Sequence, residues 1–312
     1  MKKTLEVEKS LSPQRIDLYL KNKFFNISRS KIVSLLKQGK ILVSERKVKP
    51  SFLLKGGEKI FIDFKEEKRE LIPLTLETEP QILYEDKNYL IINKPAGVIV
   101  HPNLKNLNLP TISSWLIFKW PSLLGVGEDP LRPGIVHRLD KETSGILVIA
   151  KNNQSFFHLK EQFQKRLVKK EYLTLVWGNI KKDSGEIDFP LTYSKKSPLR
   201  RKISQEAKQK KAKPALTYYQ VIERFKNFTF LKVIPKTGRT HQIRVHLASL
   251  GYPVVGDKEY GPKKRKLPFT LNRQFLHATK ISFLTIDDTL LEIEAPLFED
   301  LKKVLKSLEA QE

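Results

Sequence analysis

Cysteine is absent from this sequence of 312 residues, which excludes disulfides, cysteine nucleophiles, zinc knuckles and the cysteine-ligated zinc of nucleobase deaminases. Long apolar runs are missing too: none approaches the ~18 residues of a spanning helix, and the opening "MKKTLEVEKS" has no apolar signal core. A cytoplasmic protein without membrane contact is the expectation. Acidic residues are scarce beside basic ones, 34 Asp and Glu against 58 Lys and Arg, for a formal net charge of +24. Such a field favours polyanions. Common chemical motifs also fail. No Gly-x-Ser-x-Gly elbow occurs. "GYPVVGDK" begins like a phosphate-binding loop, but Asp257 stands where the essential Lys belongs, so it reads as a turn. His241 and His246 in "HQIRVH" point to different faces of a helix with no carboxylate between them, so no metal site is expected.

What is present divides in two. Over residues 1–69 the net charge is +10. Ser12-Pro13 is a cap followed by a first-turn proline, predicting a helix that carries Ile16, Leu18 and Leu20 inward. A second helix starts at Ser28, presents Ile32, Leu35 and Leu36 on one face, and stops at Gly39. "KILV" and "EKIFIDF" read as short strands. This order of elements resembles the S4 RNA-binding domain over a core of residues 13–64, with Ser44-Glu45 and Gly57-Glu58 in place of the usual Asn-Gly and Gly-Asp turns. Arg29, Ser30, Lys31 and Lys37 lie on or near the second helix, where basic side chains and helix amides could hold phosphates or form only a solvated face, and Arg15 is a further candidate RNA contact. Residues 70–80 read as a linker, and residues 81–312 as a second domain.

That domain has short apolar or β-branched runs bounded by turns, "YLIIN", "GILVIA", "YLTLVWG", "ALTYYQVI" and "FTFLKVIP". "SFFHLKEQFQKR" has helical spacing, and "FEDLKKVLKSLE" makes a closing helix. The whole chain is therefore α+β, a small α/β module ahead of a mixed, mostly antiparallel sheet flanked by helices. Within "HRLDKETSGILVIAK", Ile146–Ala150 reads as a strand buried on both faces, with Gly145 permitting close backbone approach. Asp140 then lies in the loop feeding that strand, among basic neighbours that favour its charged form. Local reasoning leaves two readings open, a structural ion pair and a nucleophile.

"GIVHRLDKETSGILVIAK" is similar to the signature of the RluA family of pseudouridine synthases. "YEDKNYLIINKPAGVIVHP", "KKEYLTLVWG", "PKTGRTHQIRVHLASLGYPVVGDKEYG", "RQFLHA" and "LEIEAPL" resemble further family segments in the expected order, over about residues 80–300. The resemblance implies conversion of uridine to pseudouridine in RNA without a cofactor or metal. Asp140 matches the catalytic aspartate, Tyr172 the active-site tyrosine beside the base, and Arg244 the basic partner of the carboxylate. Arg138 matches a position that replaces a flipped nucleotide. Lys94, His137, Leu139 and Ile243 are the implied substrate-pocket residues. An S4 module ahead of this domain is familiar among large-subunit ribosomal RNA members, so the implied partner is 23S ribosomal RNA or a 50S assembly intermediate, with a monomer favoured. Transfer RNA as substrate, and a non-catalytic RNA-binding assembly factor, are the alternatives. Residues 195–213, at +8, leave two readings open, a solvated loop and a basic clamp that closes over RNA with Arg200, Arg201 and Lys202.

Overall fold

The computed structural model describes residues 2–10, 12–24, 29–63, 71–102, 107–194, 200–204, 212–262 and 266–310. They fall into two compact units, one of residues 1–71 and 128–131 and one of residues 72–127 and 132–312.

The smaller unit runs β1 (Lys2–Glu6), β2 (Gln14–Arg15), α1 (Ile16–Lys23), α2 (Arg29–Gln38), β3 (Ile41–Val43), β4 (Leu53–Leu54) and β5 (Lys59–Asp63). An antiparallel sheet in the order β1-β5-β3 packs against the helices, burying Ile16, Tyr19 and Leu20 of α1 with Ile32, Leu35 and Leu36 of α2. The second helix and both strands match the sequence reading, while Ser28 lies outside the described residues. The first helix corrects it. Gln14–Arg15 pair with Leu53–Leu54, and the Ile16 amide donates to the Phe52 carbonyl at 2.8 Å, so helix geometry begins three residues after Pro13. That shift rotates Leu18 outward, 40% exposed. Ser44 and Glu45 both take left-handed backbone angles, φ 43° and 64°, the turn that Asn-Gly fills most easily. Here two backbone hydrogen bonds of 2.9 Å between Val43 and Arg46 hold it closed.

The larger unit contains β6 (Gln81–Glu85), β7 (Tyr89–Lys94), α3 (Ile112–Lys119), β8 (Ser144–Ala150), α4 (Asn153–Lys165), β9 (Lys169–Trp177), β10 (Ser184–Asp188), β11 (Leu191–Tyr193), β12 (Arg201–Ile203), β13 (Leu216–Phe225), β14 (Phe228–Pro235), α5 (Gln242–Ser249), β15 (Leu276–Leu284), β16 (Leu290–Glu294) and α6 (Glu299–Glu309). Nine strands make one sheet in the order β10-β13-β14-β9-β15-β8-β7-β6, with β16 also on β15. Only the β15–β8 joint is parallel, held by the pairs His277–Ser144 and Ala278–Gly145. Every residue of β7 and β8 is buried, as two-faced burial of an apolar strand requires. Gly145 has φ 114°, and a side chain there would strike the Ala278 backbone, so glycine is what lets the two half-sheets meet.

Leu71 and Leu76, in the stretch before β6, are buried, and Leu76 joins the core of the larger unit with Tyr89, Trp115, Leu147 and Phe283. Among the described residues no helix is long and apolar enough to cross a membrane.

Candidate active site

Two segments meet at one end of the β8–β15 joint. Asp140 stands in the loop before β8, where the Thr143 amide donates to the Asp140 carbonyl at 3.1 Å and closes a turn. Opposite it, the chain leaves β14 through Lys236–Thr240 and enters α5. Gln242 fixes that loop: its Oε1 accepts from the Thr237 hydroxyl at 2.7 Å and the Arg239 amide at 3.0 Å, while its Nε2 donates to the Leu216 carbonyl and the Thr217 hydroxyl. A buried amide with all its bonding capacity used is a rigid anchor. Arg244, on the first turn of α5, is thereby aimed at Asp140.

Arg244 Nη1 donates to Asp140 Oδ2 at 3.0 Å. Its Nε and Nη2 hold Asp257 in a two-point pair at 2.7 and 2.9 Å, and Nη2 also reaches Glu259 Oε2 at 3.3 Å. Burial acts to lower the Arg244 pKa, but the hydrogen bonds and charges of Asp257 and Asp140 outweigh it, so the guanidinium is held above its ordinary value. Asp257 is itself fully buried and kept below the ordinary aspartate range; burial alone would raise it, but Arg244 and the amides of Glu259 and Tyr260 prevail. Its loop is bracketed by Gly256, φ 75°, where any side chain would strike the Arg273 carbonyl. Sequence reading took "GYPVVGDK" as a turn only and missed Asp257, Glu259 and Tyr260. The legible signal was an acidic pair between glycines in "GDKEYG", which needs a cation partner once buried.

Asp140 Oδ1 has no partner among the described residues, and its side chain is 20% exposed into a cleft of about 520 Å³. Tyr172, half-buried on β9, lines the same cleft with Ile243, Leu139 and Leu276. Burial and the Asp140 charge push the Tyr172 phenol well above its ordinary range, so it stays protonated. Arg132, Arg138, Arg166, Lys170, Lys236 and Arg239 also line the cleft, and Asp140 is the sole carboxylate among the described lining residues. Arg138 is exposed there, with Nη1 3.3 Å from His101 Nε2.

The remaining expected residues divide. His137 lines the cleft, but its Nε2 accepts from the Val148 amide at 2.9 Å and its ring stacks on Phe163 at 4.8 Å. Burial first, then Lys170, push it down to about 3, so it is a neutral prop for β8. Lys94 is corrected: it does not line the cleft but is fully buried, with Nζ donating to the carbonyls of Pro95 at 2.7 Å, Val98 at 3.0 Å and Lys141 at 3.2 Å. It staples the Pro95–Val98 loop to the residue after Asp140.

Arg201 and Lys202 lie on β12, which pairs with β11 in a small ribbon that the sequence reading did not foresee, and Arg200 stands just before it; of the supposed clamp, 195–199 and 205–211 lie outside the described residues. Arg200 donates to the Glu259 carbonyl at 2.7 Å, and the Arg201 amide to the Tyr260 hydroxyl at 2.9 Å. In the smaller unit Arg15 and Arg29 both close on Asp17, at 3.0 and 2.7 Å, leaving half of each side chain in solvent. Lys37 is exposed, and Ser30 lies on α2.

Asp140, paired with the buried Arg244, thus shares a cationic cleft with the protonated Tyr172. Comparison with known proteins gives the protein's class. The RNA pseudouridylate synthase profile matches residues 88–249, and the S4 domain profile residues 14–60. An uncharacterized RNA pseudouridine synthase of Aquifex aeolicus is 38% identical, the match covering 98% of this chain and 97% of that one. The ribosomal large subunit pseudouridine synthase C of Buchnera aphidicola is 35% identical over 97% of this chain and 96% of its own. Among solved structures, human RNA pseudouridylate synthase domain containing 4 is similar with a TM-score of 0.59 and 26% identity, covering 73% of this chain and 92% of its own. The chain belongs to the RluA family of RNA pseudouridine synthases, isomerases that here carry an N-terminal S4 domain.

Proposed function

We propose that this protein isomerises specific uridines of large-subunit ribosomal RNA to pseudouridine, with Asp140 as the catalytic carboxylate and Tyr172 and Arg244 beside it. The observation that carries this reading is the pairing of Asp140 Oδ2 with Arg244 while Oδ1 stays open to the cleft. The reaction exchanges a nitrogen–carbon glycosidic bond for a carbon–carbon one, so it needs an anion aimed at the nucleoside and a pocket that retains the detached uracil. Arg244 pairs with Asp140 and fixes it in direction, and Tyr172 offers a flat apolar ring for the base with a phenolic hydrogen to donate. The cationic lining suits the phosphates around an extruded uridine, and a planar Arg138 can take the place of the lost base. The ribosomal substrate rests on the S4 unit and on relatives named for the large ribosomal subunit.

The test is release of tritium from carbon 5 of uridine in ribosomal RNA and, separately, in transfer RNA. Release from large-subunit RNA is expected; release from transfer RNA alone would overturn the substrate assignment. Asp140→Asn is expected to slow release by roughly a thousandfold or more with RNA affinity within about threefold of the parent. Substantial residual turnover would mean that another carboxylate does the work.

A further inference from the structure

Most basic side chains that line the cleft around Arg244 are satisfied by water or by the protein. Arg132, Arg138, Arg166 and Lys236 are exposed, and Arg239 donates to the Pro214 carbonyl at 3.2 Å. Lys170 has neither recourse. It is half-buried on β9, and its Nζ makes no hydrogen bond or ion pair among the described residues; what it meets is the face of the Phe163 ring, 5.5 Å from the centroid. A ring face attracts a cation weakly beside what a charged acceptor offers.

The alternation of β9 decides where this charge points. Lys170 and Tyr172 both line the cleft, while Glu171 and Leu173 between and beyond them line a separate groove. On the cleft side the loop leaving β14 passes Lys170 at Gly238. A side-chain carbon there would have Lys170 Nζ, at 3.9 Å, as its one neighbour within 4 Å beyond the adjoining residues. The φ of Gly238 lies outside the left-handed region, so the turn does not demand glycine on that account. Its effect is to leave the space beside the ammonium empty. No carboxylate of the protein fills it: Asp140, the sole one among the described lining residues, is paired with Arg244. Burial accordingly holds the ammonium below its ordinary value, with no anion to raise it.

We infer that Lys170 binds one backbone phosphate of the RNA, the phosphate directly 5′ or 3′ of the uridine in the cleft, and so sets where the base rests against Tyr172. This rests on the pseudouridine synthase reading and deepens it. Same-face neighbours on a strand stand about 7 Å apart, the scale on which one nucleotide holds its phosphate away from its base. An ammonium meets a phosphate as a compact charge with three donors. Exposed lysines attract any polyanion that passes. A half-buried one without a partner gains from an anion carried into the cleft, and that favours an extruded nucleotide over a duplex lying across the entrance.

Two variants separate the charge from the space beside it. Lys170→Met keeps an unbranched stem against Phe163 and removes the ammonium; Gly238→Ala keeps the ammonium and crowds it. With full-length protein, kcat/KM for tritium release from carbon 5 of uridine in ribosomal RNA should fall about ten- to a hundredfold in Lys170→Met, and by a smaller factor in Gly238→Ala. Lys170→Met should melt no lower than the parent, since an unpaired, half-buried cation does not stabilise the fold. Synthetic RNA spanning the modified uridine supplies the second arm. A methylphosphonate removes the charge of the 5′ or the 3′ flanking linkage, with the nucleotide before that linkage 2′-deoxy in both neutral and ordinary strands to keep them intact. At one of these linkages neutralisation should weaken parent binding about tenfold and Lys170→Met binding by less than about twofold, which also tells the 5′ phosphate from the 3′. Equal losses in parent and variant at both linkages, or undiminished kcat/KM in Lys170→Met, would overturn the inference. A lower melting temperature in Lys170→Met without that coupling would make the lysine a prop of β9. If the parent itself releases no tritium, the fault lies in the pseudouridine synthase reading.

Discussion

The smaller and larger units each build a cluster of arginine and aspartate, and the two are inverted. In the smaller unit one carboxylate, Asp17, is buried at 1% exposure, and its two guanidiniums are 43% and 51% exposed. In the larger unit one guanidinium, Arg244, is buried at 7% and three carboxylates surround it, of which Asp140 looks into the cleft. In the smaller cluster the buried carboxylate holds exposed cations, and in the larger the buried pair of Arg244 and Asp257 holds the more exposed Asp140. Asp17 therefore holds two cations at the surface, and Arg244 holds one carboxylate at the cleft. The same ion pair presents a cation or a carboxylate to solvent according to which partner is withdrawn from water.

The largest expected effect comes from removing the buried anchor of the larger unit. Arg244→Met leaves Asp140, Asp257 and Glu259 without their cation, so tritium release should fall by roughly a thousandfold or more and the unit should lose about 3–5 kcal/mol of stability. Thermal melting and single-turnover kinetics read both; a variant that melts like the parent and still turns over would break the comparison. Next is the buried anchor of the smaller unit. Asp17→Asn should cost about 2 kcal/mol there, seen as faster hydrogen exchange at the Leu35 and Leu36 amides, with the chemical step at saturating RNA unchanged.

Acid sharpens this contrast. Burial acts to raise the Asp17 carboxyl, but its hydrogen bonds to Arg15 and Arg29 prevail and hold it below the ordinary aspartate value. The stability that follows is complete above the ordinary range and is lost as pH falls through the lowered value. Parent protection at Leu35 and Leu36 should therefore drop on acidification below about pH 4 more steeply than in Asp17→Asn; parallel profiles would deny Asp17 its anchoring role. The smallest effect belongs to a cation outside either cluster. Lys37→Ala should reduce the salt dependence of RNA affinity by about one unit of slope, measured by titration at several salt concentrations, without changing tritium release once RNA is bound.

Elements defined by periodicity or by unbroken apolar runs were legible: α2 and α4 from their helical spacing, β7 and β8 from five or more consecutive apolar or buried positions. The start of α1 was not, because a two-residue strand pairing with Leu53–Leu54 competes with the Ser-Pro cap and leaves no local trace. Within the site, the resemblance gave Asp140, Tyr172 and Arg244, and the structure brings all three to one cleft. Lys94 was misassigned because a lysine inside a motif carries no sign of whether it faces substrate or three carbonyls of its own chain. His241 was weighed only as a metal ligand, and Glu259 not at all, for a related reason. Their meaning lies in an approach to Asp140 and to Arg244, and Arg244 is separated from Asp140 by 104 residues.

The parallel joint of β8 with β15 has a consequence for biosynthesis. Asp140 rides on one half-sheet, while Tyr172, His241 and Arg244 ride on the other, and the two paired residues that join them, Ser144 and His277, are 133 positions apart. A ribosome that has delivered β8 has made a carboxylate with no arginine to meet it. Only when β15 emerges can the two half-sheets join, so a nascent chain stopped before Leu276 carries Asp140 and Arg244 without the strand that links their halves.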